Sequence, residues 1–181
     1  CSNLVGTLFT MKTNGAGYCF IHHFSGYYGG TAPEATLIQG NDGTLYGTTV
    51  SGGSKGYGTV FKINTNGNDF ALLHTFTNSP DGANPYGGLI LGSDGALYGT
   101  TTWGGISNAG TVFKVNTDGN GYSVLYHFTG ANGDGANSYA ALTETAAGVF
   151  YATTLSKGTN GFGTIFRFAI LPNLNLALEK P

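Results

Sequence analysis

Apolar and β-branched residues occur along the chain in short runs separated by turn-forming segments, many of which contain Asp-Gly or Asn-Gly. The clearest set of four runs is Pro85–Leu91, Ala96–Thr102, Gly110–Asn116 and Tyr122–Thr129. Val, Ile, Thr, Tyr and Phe dominate these runs and favour strands, whereas Asp-Gly and Asn-Gly favour hairpin turns. Apolar residues do not recur at helical spacing in any of these runs. The pattern predicts four short antiparallel strands and no helix.

The same pattern repeats along the chain at a fixed interval. Sequences of the type GT-apolar-F begin at Gly6, Gly58, Gly110 and Gly163, which gives intervals of 52, 52 and 53 residues. A period of this size indicates modules that bury their apolar faces by stacking on their neighbours. Four short strands per module are typical of a propeller blade. We therefore predict an all-β, β-propeller-like array of four-stranded antiparallel blades.

Side-chain size predicts the order of the strands within a blade. Strands crowd together near a propeller axis, which favours small residues there. The segments Glu34–Thr36, Tyr86–Gly88 and Tyr139–Ala141 fit the innermost position, and the bulky run Phe70–Thr77 fits the outermost position. The chain is then expected to begin in the third strand of one blade and to contain two complete blades. It is expected to end near the third strand of another.

About three and a half blades cannot close a ring, since propellers have about four to eight blades. Either the sequence is a piece of a longer protein, or several chains complete one another through open blade edges. Residues 1–170 are predicted to form the repeats. Residues 171–181 are predicted to form a tail that supplies a last strand or leads into a following domain.

Composition excludes two classes of partner. Only 9% of the 181 residues are charged, the net charge is −2, and the seven Lys and Arg residues are scattered. A nucleic-acid-binding protein would carry a basic stripe, and a membrane span would need about 18 consecutive apolar residues. The few charges and many Asn and Thr residues favour an extracellular location. Cys1 and Cys19 are predicted to be two thiols or one disulfide.

The sequences of the loops predict one candidate ligand site. Loops that lead from an outermost strand to the next blade should share a face with the loops between second and third strands. Aromatic, Asp and Asn residues converge there, so a sugar ring could stack on the single tryptophan while Asp and Asn bind hydroxyls. The candidate ligand-binding residues are Asp81, Asn84, Tyr86, Trp103, Asp134, Asn137 and Tyr139. The alternative is structural: Asp and Asn bond their own backbone in turns, and Trp103 packs on a neighbouring blade.

The remaining polar residues predict no catalytic residue, metal site or cofactor. Asp42 and Asp94 precede Gly and are predicted to be hairpin-turn residues. The histidines lie on predicted outermost strands a whole repeat apart, which does not suit metal coordination: His22, His23, His74 and His127. The aligned cations of the third strand are predicted to keep it soluble: Lys62, Lys114 and Arg167. No pair of carboxylates is placed for glycoside hydrolysis.

The segments DGANPYGGLILGSDGALYGTTTWGG and GTVFKVNTDG resemble the Gloeobacter/Verrucomicrobia-type tandem repeat, called the GloVer repeat. The resemblance extends from residue 6 to about residue 169. It implies a secreted or cell-surface bacterial protein with a propeller-like array and no defined activity. The tail LPNLNLALEKP is similar to the linkage into a following domain in such proteins. The first copy departs from the pattern, because Gly29–Glu34 replaces DGANPY, so a site built from that loop would be absent there.

The sequence favours a non-enzymatic extracellular repeat module for surface display, adhesion or assembly, with weak glycan binding on the face where these loops are expected to meet. Two alternatives stay open. One is a propeller-type hydrolase or polysaccharide lyase. The other is a structural subunit that forms homo-oligomers or filaments. A polysaccharide is the expected ligand, and neither a nucleic acid nor a membrane span is expected.

Overall fold

The computed structural model describes residues 5–171 and 174–179. Those ranges contain sixteen β-strands and no helix. The strands are β1 Thr7–Thr10, β2 Cys19–His23, β3 Ile38–Gln39, β4 Leu45–Thr49, β5 Thr59–Ile63, β6 Ala71–Thr75, β7 Ile90–Leu91, β8 Ala96–Thr101, β9 Thr111–Asn116, β10 Ser123–His127, β11 Gly135–Ala136, β12 Thr143–Ala146, β13 Val149–Thr154, β14 Ser156–Lys157, β15 Thr164–Leu171 and β16 Leu174–Glu179.

Three of the sheets have the same topology. Each contains four antiparallel strands, and each strand pairs with the strand that follows it in the predicted blade. These sheets are β3-β4-β5-β6, β7-β8-β9-β10 and β12-β13-β15-β16. β1 and β2 form a two-stranded sheet that corresponds to the last two strands of the pattern, and β11 pairs with β14. The predicted all-β architecture of small antiparallel sheets is therefore confirmed. Within the predicted tail, β16 pairs with β15.

Two of the innermost strands, β3 and β7, contain only two residues each and are much shorter than the sequence predicts. Of Pro85–Leu91, only Ile90 and Leu91 form a strand. The backbone before them bonds across to the preceding sheet instead, since the carbonyl of Pro85 accepts a hydrogen bond from Thr48 Oγ1 at 3.1 Å. Pro85 also lacks the N–H that a strand would use. The backbone of this segment therefore forms a hydrogen bond to the preceding sheet in place of one within its own sheet.

Small residues are required where the innermost segments meet. A Cβ added to Gly87 would lie 2.6 Å from the carbonyl oxygen of Ala140, and one added to Gly88 would lie 2.9 Å from Thr36 Oγ1. Real Cβ atoms do not approach other atoms so closely. Segments from three successive repeats therefore converge, as the argument from side-chain size expects.

The hydrophobic core lies between successive sheets. A phenylalanine at the end of one repeat's outermost strand meets, edge to face, a phenylalanine on the third strand of the next repeat. The ring pairs are Phe24–Phe61 at 5.2 Å, Phe76–Phe113 at 5.2 Å and Phe128–Phe166 at 5.0 Å. Such contacts add to the hydrophobic gain of burying the rings. The recurring phenylalanines thus hold the stack of repeats together.

Two further predictions concern a disulfide between Cys1 and Cys19 and the absence of a membrane span. Cys19 is exposed at the start of β2, and Cys1 lies outside the described residues, so the disulfide stays a prediction. Within residues 5–171 and 174–179, no helix is long and apolar enough to cross a membrane.

Candidate functional site

Three linker loops carry the chain from an outermost strand into the next sheet: residues 29–34, 81–86 and 134–139. Each pairs through its backbone with the loop that joins the second and third strands of the sheet it enters. The paired residues are Thr31 with Ser51, Ala83 with Trp103, and Ala136 with Ser156. The two kinds of loop therefore share one face of the molecule, as the sequence predicts. We call it the loop face.

The two aspartates of the candidate site close the turns that precede their loops. The Asp81 carboxylate accepts hydrogen bonds from the backbone N of Thr77 at 3.0 Å, from Thr77 Oγ1 at 2.6 Å and from His74 Nε2 at 2.9 Å. Asp134, which is buried, accepts equivalent bonds from Thr129 N and Oγ1, both at 2.8 Å. These contacts match the structural alternative for both residues. Contact with a ligand stays a prediction.

In the next repeat, a tyrosine, Tyr126, occupies the position equivalent to His74 and bonds to Asp134 in place of Asp81. The Tyr126 hydroxyl donates to Asp134 Oδ2 at 3.0 Å. Burial, together with this hydrogen bond to the carboxylate, raises the pKa of Tyr126 to about 12. The phenol therefore stays protonated and keeps donating at neutral pH.

Two asparagines tie the second and third linker loops to their preceding sheets. Asn84 donates from Nδ2 to the carbonyl of Val50 at 2.9 Å and from its backbone N to the carbonyl of Tyr57 at 2.8 Å. Asn137 repeats this arrangement with the carbonyls of Thr102 at 3.0 Å and Ala109 at 2.9 Å. Both asparagines have left-handed backbones, with φ of 55° and 60°, a conformation that Asn adopts more readily than other non-glycine residues. We call this pair of bonds the asparagine clamp.

Sequence reasoning placed these asparagines correctly in the loops but did not predict the clamp. The acceptors of its side-chain amides lie 34 or 35 residues earlier in the chain, and the acceptors of its backbone amides lie 27 or 28 residues earlier, all in the preceding repeat. The available signal was the recurrence of Asn at the same position of two repeats.

The aromatic candidates remain partly open to solvent. The rings of Tyr86 and Tyr139 lie 4.9 Å apart, and Tyr139 is 44% exposed. Trp103 is 42% exposed, and its backbone pairs with Ala83, near the start of the loop that carries Tyr86. The structure thus brings the two tyrosines together and places Trp103 on the same loop face.

The loop face carries further exposed aromatic rings that the candidate set did not include. Tyr27 and Tyr28 lie in the segment leading to the first linker loop, with ring centroids 5.0 Å apart, and Tyr28 is 82% exposed. Tyr57 and Phe162 occupy equivalent positions in loops between second and third strands, and both are exposed. Aromatic side chains in loops were the signal that could have identified them.

The histidines on the outermost strands are more than solvent-facing residues, because two of them stack on the next repeat. His22 stacks on Phe70 with centroids 4.1 Å apart, and His74 stacks on Tyr122 at 3.5 Å. Burial lowers the pKa of His74, and its hydrogen bond and attraction to Asp81 act in the opposite direction. Burial, assisted by His23, also lowers the pKa of His22.

On the opposite face, the hairpin turns form as predicted. Asp42 Oδ1 accepts from the backbone N of Thr44 at 3.0 Å, and Asp94 Oδ1 accepts from that of Ala96 at 3.1 Å. Lys114 Nζ lies 2.7 Å from Asp94 Oδ2. Partial burial acts to raise the pKa of Asp94, but hydrogen bonds, the largest from Lys114, lower it overall. Over residues 5–171 and 174–179, no group of three His, Cys, Asp or Glu side chains is arranged to hold a metal ion.

Comparison with known proteins agrees with this architecture. A family model described as the Gloeobacter/Verrucomicrobia repeat matches residues 1–175. No curated protein matches the sequence. Among solved structures, the chain is similar to one in a crystal structure of a nidogen/laminin complex, with 16% identity and a TM-score of 0.62. The match covers 99% of this chain and 57% of that chain. At this identity the likeness shows the fold alone, which is of the β-propeller type.

Proposed function

Because the chain belongs to the Gloeobacter/Verrucomicrobia repeat family, we propose that it is a non-enzymatic extracellular repeat module for surface display, adhesion or assembly. In this proposal the sheets are about three and a half blades of an incomplete propeller ring. The protein is secreted or held at the cell surface, and its loop face binds glycans weakly. The single observation that carries the proposal is the asparagine clamp, which recurs with backbone carbonyls at equivalent positions of two successive junctions.

Repetition of the clamp favours a scaffold over an enzyme. A catalytic group is needed once, at one reacting atom, whereas Asp81 and Asp134 do the same work in two loops, as do Asn84 and Asn137. Their polar atoms are engaged in bonds that hold turns and join repeats. These residues therefore support stacking of repeats first, and any ligand contact would be added to that role.

Glycan binding is proposed from the exposed rings. Trp103 and Tyr139 are each more than two-fifths exposed, on a face that carries several further aromatic side chains. The apolar faces of sugar rings stack on aromatic rings, and exposed aromatic residues commonly mark interaction sites. The binding should be weak, because the neighbouring Asp81 carboxylate and the amide nitrogens of both asparagines are already engaged within the protein.

Electrophoresis through native gels that contain soluble polysaccharides (starch, xylan, laminarin or alginate) tests the proposal. We expect at least one polysaccharide to retard the protein, and Trp103→Ala to weaken the retardation about tenfold, or about 1.4 kcal/mol. Ile106→Ala is the matched control, because Ile106 is an exposed apolar residue in the same loop. Equal retardation of Trp103→Ala and the unsubstituted chain would rule out stacking on Trp103. No retardation in any gel would leave glycan binding without support.

A further inference from the structure

The last four-stranded sheet exposes side chains whose counterparts in the two preceding sheets are buried. Ile165 is 66% exposed, whereas Val60 and Val112 at the equivalent positions are 0% exposed. Leu155 is 64% exposed, and its counterpart Val50 is 4% exposed. Phe162 lies beside them, although its counterpart Tyr57 is also exposed. We call the surface formed by Tyr151, Thr153, Leu155, Phe162 and Ile165 the terminal face.

In the two preceding sheets, the equivalent surface is covered by the next linker loop. The covering loop supplies the asparagine clamp, which uses the carbonyls of Val50 and Tyr57 in one sheet and those of Thr102 and Ala109 in the next. The corresponding carbonyls of the last sheet belong to Leu155 and Phe162. In the described part of the chain, no hydrogen bond ends on either of them.

A threonine hydroxyl supplies a third contact. Thr48 Oγ1 donates to the carbonyl of Pro85 at 3.1 Å, and Thr100 Oγ1 donates to that of Ala140 at 3.0 Å, so each reaches the segment that follows the clamp. The counterpart in the last sheet, Thr153, is exposed. The terminal face therefore presents two carbonyls and an apolar surface in the arrangement that binds a linker loop twice elsewhere in the molecule. It also presents a threonine hydroxyl, whose two counterparts bond to different carbonyls of the bound segment.

We propose that the terminal face is a docking site for the linker segment of a further repeat of this family. Both segments that occupy the equivalent surfaces fit the sequence D-G-A-N-[P/S]-Y, followed by two small residues and Leu. These are residues 81–89 and 134–142. The Asn supplies the clamp, the small residues allow close approach of the backbone, and Leu89 and Leu142 are buried. The proposal rests on the stacked-repeat part of the proposed function and is independent of glycan binding.

The loops of a second copy of this chain do not fit as the occupant. Its linker loops at 81–86 and 134–139 are already clamped to their own preceding sheets. Its first loop has Ala32 where the clamp needs Asn, and the backbone N of Ala32 already donates to the carbonyl of Val5 at 2.9 Å. The partner must therefore carry a linker segment that is not engaged in its own repeat.

The test is a titration of the isotopically labelled 181-residue chain with the peptide DGANPYGGLILG, followed by the chemical shifts of backbone amides. We expect saturable shifts confined to the residues around Leu155, Phe162 and Ile165, with a dissociation constant in the millimolar range or below. The matched peptide with Ala in place of Asn should bind at least about fivefold more weakly, because it lacks the amide donor of the clamp. Ile165→Asp should abolish binding, and Ile106→Asp, at another exposed apolar residue, should leave binding unchanged.

Four results would overturn the proposal. The first is the absence of saturation at about 10 mM peptide. The second is equal affinity for the two peptides, and the third is unchanged binding to Ile165→Asp. The fourth is concentration-dependent shifts at the terminal face without any peptide, lost in Ile165→Asp, which would identify a second copy as the occupant. Failure of the polysaccharide gels would not affect these results.

Discussion

The first and second linker loops follow the same backbone path with different side chains. Ala32 and Asn84 both have φ of 55°, and each donates its backbone N–H to the preceding repeat, to Val5 at 2.9 Å and to Tyr57 at 2.8 Å. Each carbonyl also accepts a backbone hydrogen bond from the sheet that the loop enters. The first loop lacks the clamp amide. The comparison shows that the main chain and its close packing set the path of the loop, and that the side chains only reinforce it.

The outermost strands beside these loops differ in the same way. His74 stacks on Tyr122 and also bonds to Asp81, whereas His22 stacks on Phe70 at a junction where Gly29 stands at the aspartate position. Stacking of rings therefore occurs at both junctions, and the carboxylate strengthens only the second one.

The largest loss of stability is expected from replacing the glycine that both loops have at the same position. A Cβ on Gly82 would lie 2.5 Å from Thr101 Oγ1, and one on Gly30 would collide with the side chain of Thr49; both glycines have positive φ. Gly82→Ala and Gly30→Ala should each lower the free energy of unfolding by about 3 kcal/mol or more, since strain in a packed site adds to the cost of the backbone conformation. Urea denaturation measures this.

Gly95→Ala is the matched control, because Gly95 has φ of +79° with nothing within 4 Å of an added Cβ. It should cost only about 1 kcal/mol, from the left-handed backbone alone. If Gly82→Ala cost no more than this control, close packing would not set the path of the loop.

A smaller effect is expected from exchanging the residues at the clamp position. Asn84→Ala should cost about 1–2 kcal/mol, because it loses both the amide bond to Val50 and the preference of Asn for positive φ. Ala32→Asn should stabilise the chain by less than about 1 kcal/mol, from the backbone preference alone. Asn84→Asp tests the amide bond, since Asp tolerates this backbone but sets a carboxylate oxygen, which cannot donate, against the carbonyl of Val50. Equal and opposite effects of the two exchanges would mean that the amide bond contributes nothing.

The features that could be predicted from the sequence are local ones. The period, the alternation of strands and turns, and the hairpin roles of Asp42 and Asp94 follow from residues close together in the chain. The asparagine clamp, the shortness of β7 and the stacking of His74 could not be predicted in this way. Each depends on a partner in the neighbouring repeat, 27 to 48 residues away in the chain. The spacing within one repeat carries no information about which atoms meet across the junction.

The smallest change in stability is expected on lowering the pH, which protonates the histidines at the two junctions. The pKa of His74 and that of His22 are lowered from 6.5, chiefly by burial. A histidine with a depressed pKa binds fewer protons in the folded state than in the unfolded state. The contribution of these histidines to stability should therefore be constant above about pH 6.5. It should fall as the pH drops from 6.5 towards the lowered pKa values of the folded state. Urea midpoints measured between pH 8 and pH 5 test the sign.

Substitutions at the second junction sharpen this test, because only that junction has a carboxylate beside the histidine. His74→Tyr, which places there the residue found at the equivalent Tyr126, should reduce the fall in stability below pH 6.5, leaving the contributions of His22 and His127, whose pKa values are also lowered by burial. Asp81→Asn should extend the fall to lower pH, because the bond and the charge of Asp81 both act to raise the pKa of His74. A midpoint that rises on acidification, or a fall unaffected by His74→Tyr, would show that burial at this junction does not disfavour the protonated imidazole of His74.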